Sequence, residues 1–469
     1  MENKGLIFML SKSIDNSKMK FWLDLINKLS CANVLLIFFS LTTVCLSCVI
    51  ALSAPPFSIP DEGAHYLRSY EVSRGHLINF RGNIGTPILC TDYLEIAKLN
   101  GRVNVAFYQA SAEQLNPSVE DCYVNSLNTA GSYSAIPYLA SALGIRAAEM
   151  LGYKVQGRLK TGRIANALVT SLICFMAVVA LKKYRLLIAL FTLLPMSMWL
   201  RSSLSADAIT LSISLGFLAY ILRLVEREEE ISQRNIYILT ILAIALGSVK
   251  PVYAILSFSV LILYKRVNGL TGLKLLMLPC ISALIIGAFW SLSADPALIY
   301  INTFNGANPA DQLKHVIGDP LKFVQVIIST FQINFTIFMS QAIVPMFSTS
   351  WIQQNEQFEI GLIFCSFIFF TMMTMPISLN AFQRLVIIAV TLLCLIVTLI
   401  PSYLTYTLVG HNEILGLQGR YFLPTAFFAL VAGCIYKPLH IFASESTRFA
   451  VAVIFPLIIN FSLVIKQLS

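Results

Sequence analysis

Charge is scarce in this sequence. Asp, Glu, Lys and Arg together make up 12% of 469 residues, about half the ~25% usual for soluble domains. Histidine occurs only five times, and no cluster of His, Cys, Asp and Glu has metal-ligand spacing. There is no short-period repeat, and no basic segment interleaved with aromatics of the kind that binds nucleic acid. Hydrophobic residues, by contrast, reach 57% and the mean hydropathy is +0.74. Together these features exclude a soluble enzyme, a disordered chain and a secreted disulfide scaffold. They define an all-α polytopic membrane protein, with room for roughly ten spans of about 20 residues and one sizeable loop domain.

The ten cysteines lie mostly in apolar runs, where the thiol behaves as a small hydrophobe. Cys45 and Cys48 form a C-x-x-C inside such a run, which argues against a redox or zinc role. The net charge of +9 fits an excess of Lys and Arg in cytoplasmic loops and contact with anionic lipid. Nucleic acid is not an expected partner.

Lysines 4, 12, 18, 20 and 28 place the segment 1–32 in the cytoplasm, with 19–30 as a surface helix. A first span follows at 33–53. Residues 54–160 form a large extracytoplasmic loop domain with nine acids and nine bases. Near its end, 134–153 reads as an interfacial helix, because Arg146 and Glu149 are expensive inside a bilayer. Residues 161–469 form the multi-span domain. Its spans are expected at about 164–181, 186–200, 208–225, 273–293, 359–376, 385–401, 422–436 and 449–465. Two short helices, 236–249 and 251–264, break at Lys250-Pro251. A second outer segment covers 294–358, in which 322–345 reads as a re-entrant or interfacial helix because of Gln325, Gln332, Asn334 and Gln341. The total is about eleven spans.

The chemistry concentrates in PPFSIPDEGAHYLRSYEVSRGHL (55–77), where Asp61 and Glu62 stand beside His65 and Arg68 just past the first span. A carboxylate at the lip of a membrane cavity can deprotonate a sugar hydroxyl while a lipid-borne donor stays in the bilayer. A lipid-phosphate leaving group needs nearby positive charge rather than an acid. Adjacent residues point in different directions, so Asp61 and Glu62 are not a glycosidase pair. Asp61 is the expected base and Glu62 the second choice. Candidate phosphate partners are Arg163, Arg201, Lys250 and Arg420, the last followed by Tyr421; each could instead snorkel to fix span depth, a reading that fits Arg163 and Arg201 better than the mid-pattern Lys250 or Arg420 after Gly419. Asp207 either faces the cavity or caps a helix. Cys90 and Cys122, the two cysteines of the loop domain, are expected to form a disulfide worth roughly 3–4 kcal/mol.

Four segments, PDEGAHYLRSYEVSRG (60–75), LPMSMWLRSSLSADA (194–208), SVKPVY (248–253) and LQGRYFLP (417–424), resemble a family of bacterial membrane proteins known as domain of unknown function 2142. That family groups with the GT-C glycosyltransferases. The resemblance implies a GT-C-like fold with a large first extracytoplasmic loop, and an acidic base at the position of Asp61. It further implies an inverting transfer of a sugar from a polyprenyl-phosphate donor to a lipid-linked or surface glycan such as O-antigen. The site would face the periplasm from the inner membrane, with no cofactor. A lipid-sugar synthase and a small flippase encoded nearby would be the expected partners. A flippase for lipid-linked sugars would require buried mid-span charges and related halves. A glycan polymerase would be expected to carry its large loop late in the chain, whereas here it comes first.

Overall fold

The structure is a computed structural model. It describes residues 31–59, 61–78, 86–89, 92, 95–96, 121–124, 129–228, 230–293, 307–345, 354–374, 379–433 and 445–468. The N-terminal surface helix expected at 19–30 lies outside these residues, as does Cys90.

The chain opens with α1 (Cys31–Ser53), followed by the short α2 (Glu62–Ser73). Strands β1 (Thr86–Leu89) and β2 (Asp121–Val124) pair antiparallel, with Ile88 opposite Cys122. Two 3-10 turns lead into α3 (Leu139–Met150) and then α4 (Val155–Ala180). Helix α3 has 12 residues, about 18 Å, too short to cross a bilayer. One side packs on α4, while Leu143, Met150 and Leu151 lie exposed.

The 186–200 stretch is two helices, α5 (Arg185–Leu193) and α6 (Pro195–Arg201). Pro195 lacks the amide that would continue α5. Next come α7 (Ala206–Arg227) and α8 (Gln233–Val249). As the Lys250-Pro251 pair suggests, α8 ends there. The partner segment differs from expectation in pitch. Pro251–Arg266 is a 3-10 helix of 16 residues, and at about 2.0 Å per residue it reaches roughly 32 Å, enough for the hydrocarbon core. An α-helix of that length would fall short.

The remaining helices are α9 (Gly269–Leu276), α10 (Leu278–Ser293), α11 (Pro309–Gly318), α12 (Pro320–Ile343), α13 (Gln354–Met373), α14 (Ala381–Tyr406), α15 (Leu423–Gly433) and α16 (Glu445–Leu468). Eight helical stretches among the described residues are long and apolar enough to cross a membrane, α12 included. Large apolar side chains such as Leu41, Leu172, Ile285 and Leu392 stand exposed on them. Such a surface is stable only against lipid. Inside, one continuous apolar core joins α1, α4 to α8, the 3-10 helix and α13 to α16.

Helix α12 is continuous, so residues 322–345 do not form a re-entrant hairpin. It lies along the chain that leaves α14. The Phe323 ring meets Tyr403 at 5.1 Å, and the Phe338 ring meets Phe422 at 5.5 Å. Two of the polar residues that set this helix apart in the sequence, Asn334 and Gln341, capture that neighbouring segment together with Thr330. Thr330 Oγ1 accepts from Ile414 N–H at 2.9 Å, Asn334 Nδ2 donates to Glu413 at 3.3 Å, and Gln341 Oε1 accepts from Gly419 N–H at 2.9 Å. Gly419 is required by this packing: a Cβ there would sit 2.0 Å from the Phe338 carbonyl oxygen. Arg420 is thereby carried on a backbone fixed against α12.

Candidate functional site

Four charged side chains from four separate segments meet at one end of the bundle. Asp61 pairs with Arg420, and Arg420 Nε also approaches Asp207 Oδ2 at 3.2 Å. Asp207 in turn pairs with Lys250. The chain of contacts therefore alternates in sign: Asp61, Arg420, Asp207, Lys250. Three of these side chains are buried, at 2–9% exposure, whereas Asp61 is 50% exposed. Asp61 is thus the member of the quartet open to an incoming molecule.

Local conformation explains why both carboxylates are free for this role. Asp61 stands at the N-cap of α2 in a left-handed conformation (φ 62°), and its side chain makes no capping bond. Its carbonyl starts the helix by accepting from His65 N–H at 3.1 Å. Asp tolerates this backbone better than most residues. At α7 the cap is Ser205, whose Oγ accepts from Asp207 N–H at 3.1 Å. The capping role considered for Asp207 is therefore filled by its neighbour, and the Asp207 carboxylate faces the cations.

Aromatic rings surround the charges. Lys250 Nζ lies 5.1 Å from the ring centres of both Tyr133 and Tyr421, and Arg420 lies 5.4 Å from Tyr421. These are cation–π distances. Tyr253 donates to the Tyr421 carbonyl at 2.7 Å, tying the 3-10 helix to the Arg420 segment. Ser134 Oγ donates to the Ser248 carbonyl at 2.5 Å, which holds the segment before α3 against the end of α8.

His65 sits beside the quartet. Its Nδ1 is 2.8 Å from Tyr138 Oη and its Nε2 is 3.5 Å from Ser205 Oγ. Burial pushes the imidazole down to about 4 from its usual 6.5; Arg420 and Lys250 add to the fall, and Asp61 and Asp207 oppose it. The folded protein thus binds fewer protons than the unfolded chain between those values. The contribution of His65 to stability is complete above pH 6.5 and is lost as pH falls toward 4. Thermal melts of purified protein between pH 7 and 4.5 should show that decline, and His65→Gln should flatten it. Equal slopes in both proteins would mean that His65 is not buried neutral.

The other sequence candidates lie elsewhere. Glu62 is fully buried and paired with Arg163, whose nitrogens lie 2.8 and 2.5 Å from the carboxylate. Arg163 also donates to the carbonyls of Ala51, Ala54 and Pro55 at 3.3, 2.7 and 3.0 Å. It thus clasps the end of α1 and the start of α2 to α4. Every nitrogen of Arg163 is used, so neither residue faces the open carboxylate. Arg68 is committed elsewhere through its two Nη atoms, to Glu71 at 2.9 Å and to the carbonyls of His76 and Leu77 at 3.2 and 2.8 Å. Arg201 donates to the Thr192 carbonyl and to Met198 Sδ, apart from the quartet. The expected Cys90–Cys122 bridge falls outside the described residues. Sequence reasoning missed Tyr133, Tyr138, Tyr253, Ser205 and Gln341. Their roles are set by contacts across 70 to 170 residues, except Ser205, which the S-x-D spacing before α7 could have signalled as a cap.

Among the described residues no three or more His, Cys, Asp or Glu side chains come together to hold a metal. What the site offers is a half-open carboxylate set against two buried cations that share a second carboxylate. That arrangement can bind an anion and move a proton beside it.

Fold and site together define a multi-pass helical membrane protein with a buried charge network at one end of its bundle. The chain belongs to the family described as "Predicted membrane protein (DUF2142)", whose model matches residues 44–429. Neither the search of curated proteins nor that of solved structures found a match.

Proposed function

We propose that the protein is an inverting GT-C-type glycosyltransferase, moving a sugar from a polyprenyl-phosphate donor to a cell-surface glycan of the O-antigen kind. The observation that carries this reading is the pairing of the half-exposed Asp61 carboxylate with the buried Arg420, backed by Lys250 and Asp207. Lys250, Arg420 and Asp207 sum to one positive charge. A phosphodiester donor carries one negative charge, so it can replace Asp61 as the partner of Arg420. Released from its cation, the Asp61 carboxylate is available to an incoming hydroxyl.

In the transfer, an acceptor hydroxyl oxygen bonds to the sugar's anomeric carbon from the face opposite the phosphate. Its proton passes to the Asp61 carboxylate. The bond from the anomeric carbon to the phosphate oxygen breaks, and polyprenyl phosphate leaves with a second negative charge. Arg420 and Lys250 stabilise that growing charge, and the surrounding apolar helices strengthen the interaction. The Tyr133 and Tyr421 rings supply flat apolar faces of the kind sugars stack on.

The proposed setting is the bacterial inner membrane, with the site on the periplasmic side. Its support is the charge at the two ends of α7. Asp207 and the quartet lie at its start, whereas Arg266 donates to the Leu224 and Val225 carbonyls at its finish, near Lys182, Lys183 and Arg185. Positive residues outside a charge network favour the cytoplasm.

The test is a reconstituted reaction: purified protein, a radiolabelled polyprenyl-phosphate sugar series and lipid-linked acceptor glycan. Label should move to the acceptor and free polyprenyl phosphate should appear in equal amount. Transbilayer movement of the intact donor with no bond broken would replace this reading with a flippase.

A further inference from the structure

Among the described residues, the buried cations follow a rule with one exception. Arg68 has Glu71, Arg158 has Asp92, Arg163 has Glu62, Lys250 has Asp207, and Arg420 has both Asp61 and Asp207. Arg201 is 2% exposed and has no carboxylate partner among the described residues. One nitrogen, Nη2, donates to the Thr192 carbonyl and to Met198 Sδ. The other two, Nε and Nη1, have no hydrogen-bond partner. An arginine does not shed its charge to escape burial, because its pKa lies far above neutrality. Arg201 is therefore a full positive charge enclosed by apolar helices.

The helical segments that hold it carry buried hydroxyls without partners. Ser197 lies one turn earlier on α6, and Thr192 is the residue whose carbonyl Arg201 already holds. Both hydroxyls are buried and unpartnered. Ser171, one turn from Cys174 on α4, is also buried and unpartnered. The Cys174 thiol itself touches the guanidinium. These hydroxyls can donate as well as accept, so they suit an acceptor-rich anion that enters among them.

We propose that Arg201 anchors a second anion site, separate from the Asp61–Arg420–Asp207–Lys250 quartet, that takes a phosphate group from outside the chain. Phosphate matches the chemistry: several acceptor oxygens for Nε, Nη1 and the hydroxyls, and the charge that Arg201 lacks. The site closes a charge balance that every other buried cation closes within the chain. It stands whether or not the quartet performs sugar transfer.

The experiment uses the full-length protein, delipidated in a neutral detergent, with thermal unfolding and native mass spectrometry as readouts. The probes are phosphatidylglycerol, polyprenyl phosphate, inorganic phosphate and, as control, phosphatidylcholine. At least one anionic probe should raise Tm by several degrees and remain bound as one copy per protein. The control should do neither. A response to inorganic phosphate alone assigns a free ion, and a response to one of the lipids assigns a headgroup. The same rise should persist in Arg420→Gln, which disables the quartet, and vanish in Arg201→Gln. Arg201→Met removes the unpaired charge without leaving a polar atom, so it should be at least as stable as wild type when delipidated, and should gain nothing from the probes. No rise with any anionic probe, or an equal rise in Arg201→Met, overturns the site.

Discussion

Asp61→Asn is expected to lower the transfer rate by about 10²–10⁴-fold, the range for loss of a general base, while the protein remains in the membrane and folded. Asn keeps the size and the acceptor oxygen of Asp and loses the basicity. Little stability is at risk, because the Asp61 side chain is half exposed and does not cap α2. The substitution carries a second signature. In the free protein Asp61 occupies Arg420, so its neutral replacement removes the donor's competitor. Donor binding should therefore tighten as turnover collapses, a split that misfolding cannot produce. The check is single-turnover transfer alongside donor titration. Turnover within a few-fold of wild type would remove Asp61 from the base role, and Glu62 would not inherit it, since that carboxylate is sealed against Arg163.

Arg163→Gln should have the opposite profile. It leaves the Glu62 carboxylate buried without its cation and deprives the Ala51, Ala54 and Pro55 carbonyls of their donor. Breaking a buried ion pair from one side costs about 3–5 kcal/mol. Heating in detergent, followed by size-exclusion chromatography of what remains monodisperse, should show a large fall in the midpoint. Donor affinity in the surviving fraction should be unchanged. A variant as stable as wild type but weak in donor binding would return Arg163 to the phosphate-binding role that its sequence position suggested.

The contrast between Asp61 and Glu62 shows where sequence reasoning stops. Consecutive residues point apart, which the chain itself dictates. Which of them opens to solvent and which meets a buried arginine 101 positions away depends on how α4 docks. The same holds for Arg163, Arg201, Lys250 and Arg420. In the sequence Lys250, set mid-pattern, and Arg420, preceded by the flexible Gly419, stand only slightly ahead of Arg163 and Arg201 as phosphate partners. Arg163 became a clasp because three carbonyls at the end of α1 converge on it. Arg420 became part of the site because Gln341 and the Phe338 carbonyl pin Gly419. The Gln and Asn residues of α12 looked like marks of a re-entrant segment, because a lone amide in lipid is costly. Two of them are satisfied by a segment about 80 residues later.

By itself, the sequence determined that this is a helical membrane protein and that α8 ends at Lys250-Pro251, because composition and proline act locally and need no partner. The tertiary structure alone decided that Asp61, Asp207, Lys250 and Arg420 form one alternating network, that Glu62 and Arg163 hold the scaffold, and that Arg201 has no carboxylate partner among the described residues. Those outcomes rest on distances between residues far apart in the chain. Coulomb energy in a low-dielectric interior depends on such separations, which local sequence pattern does not encode.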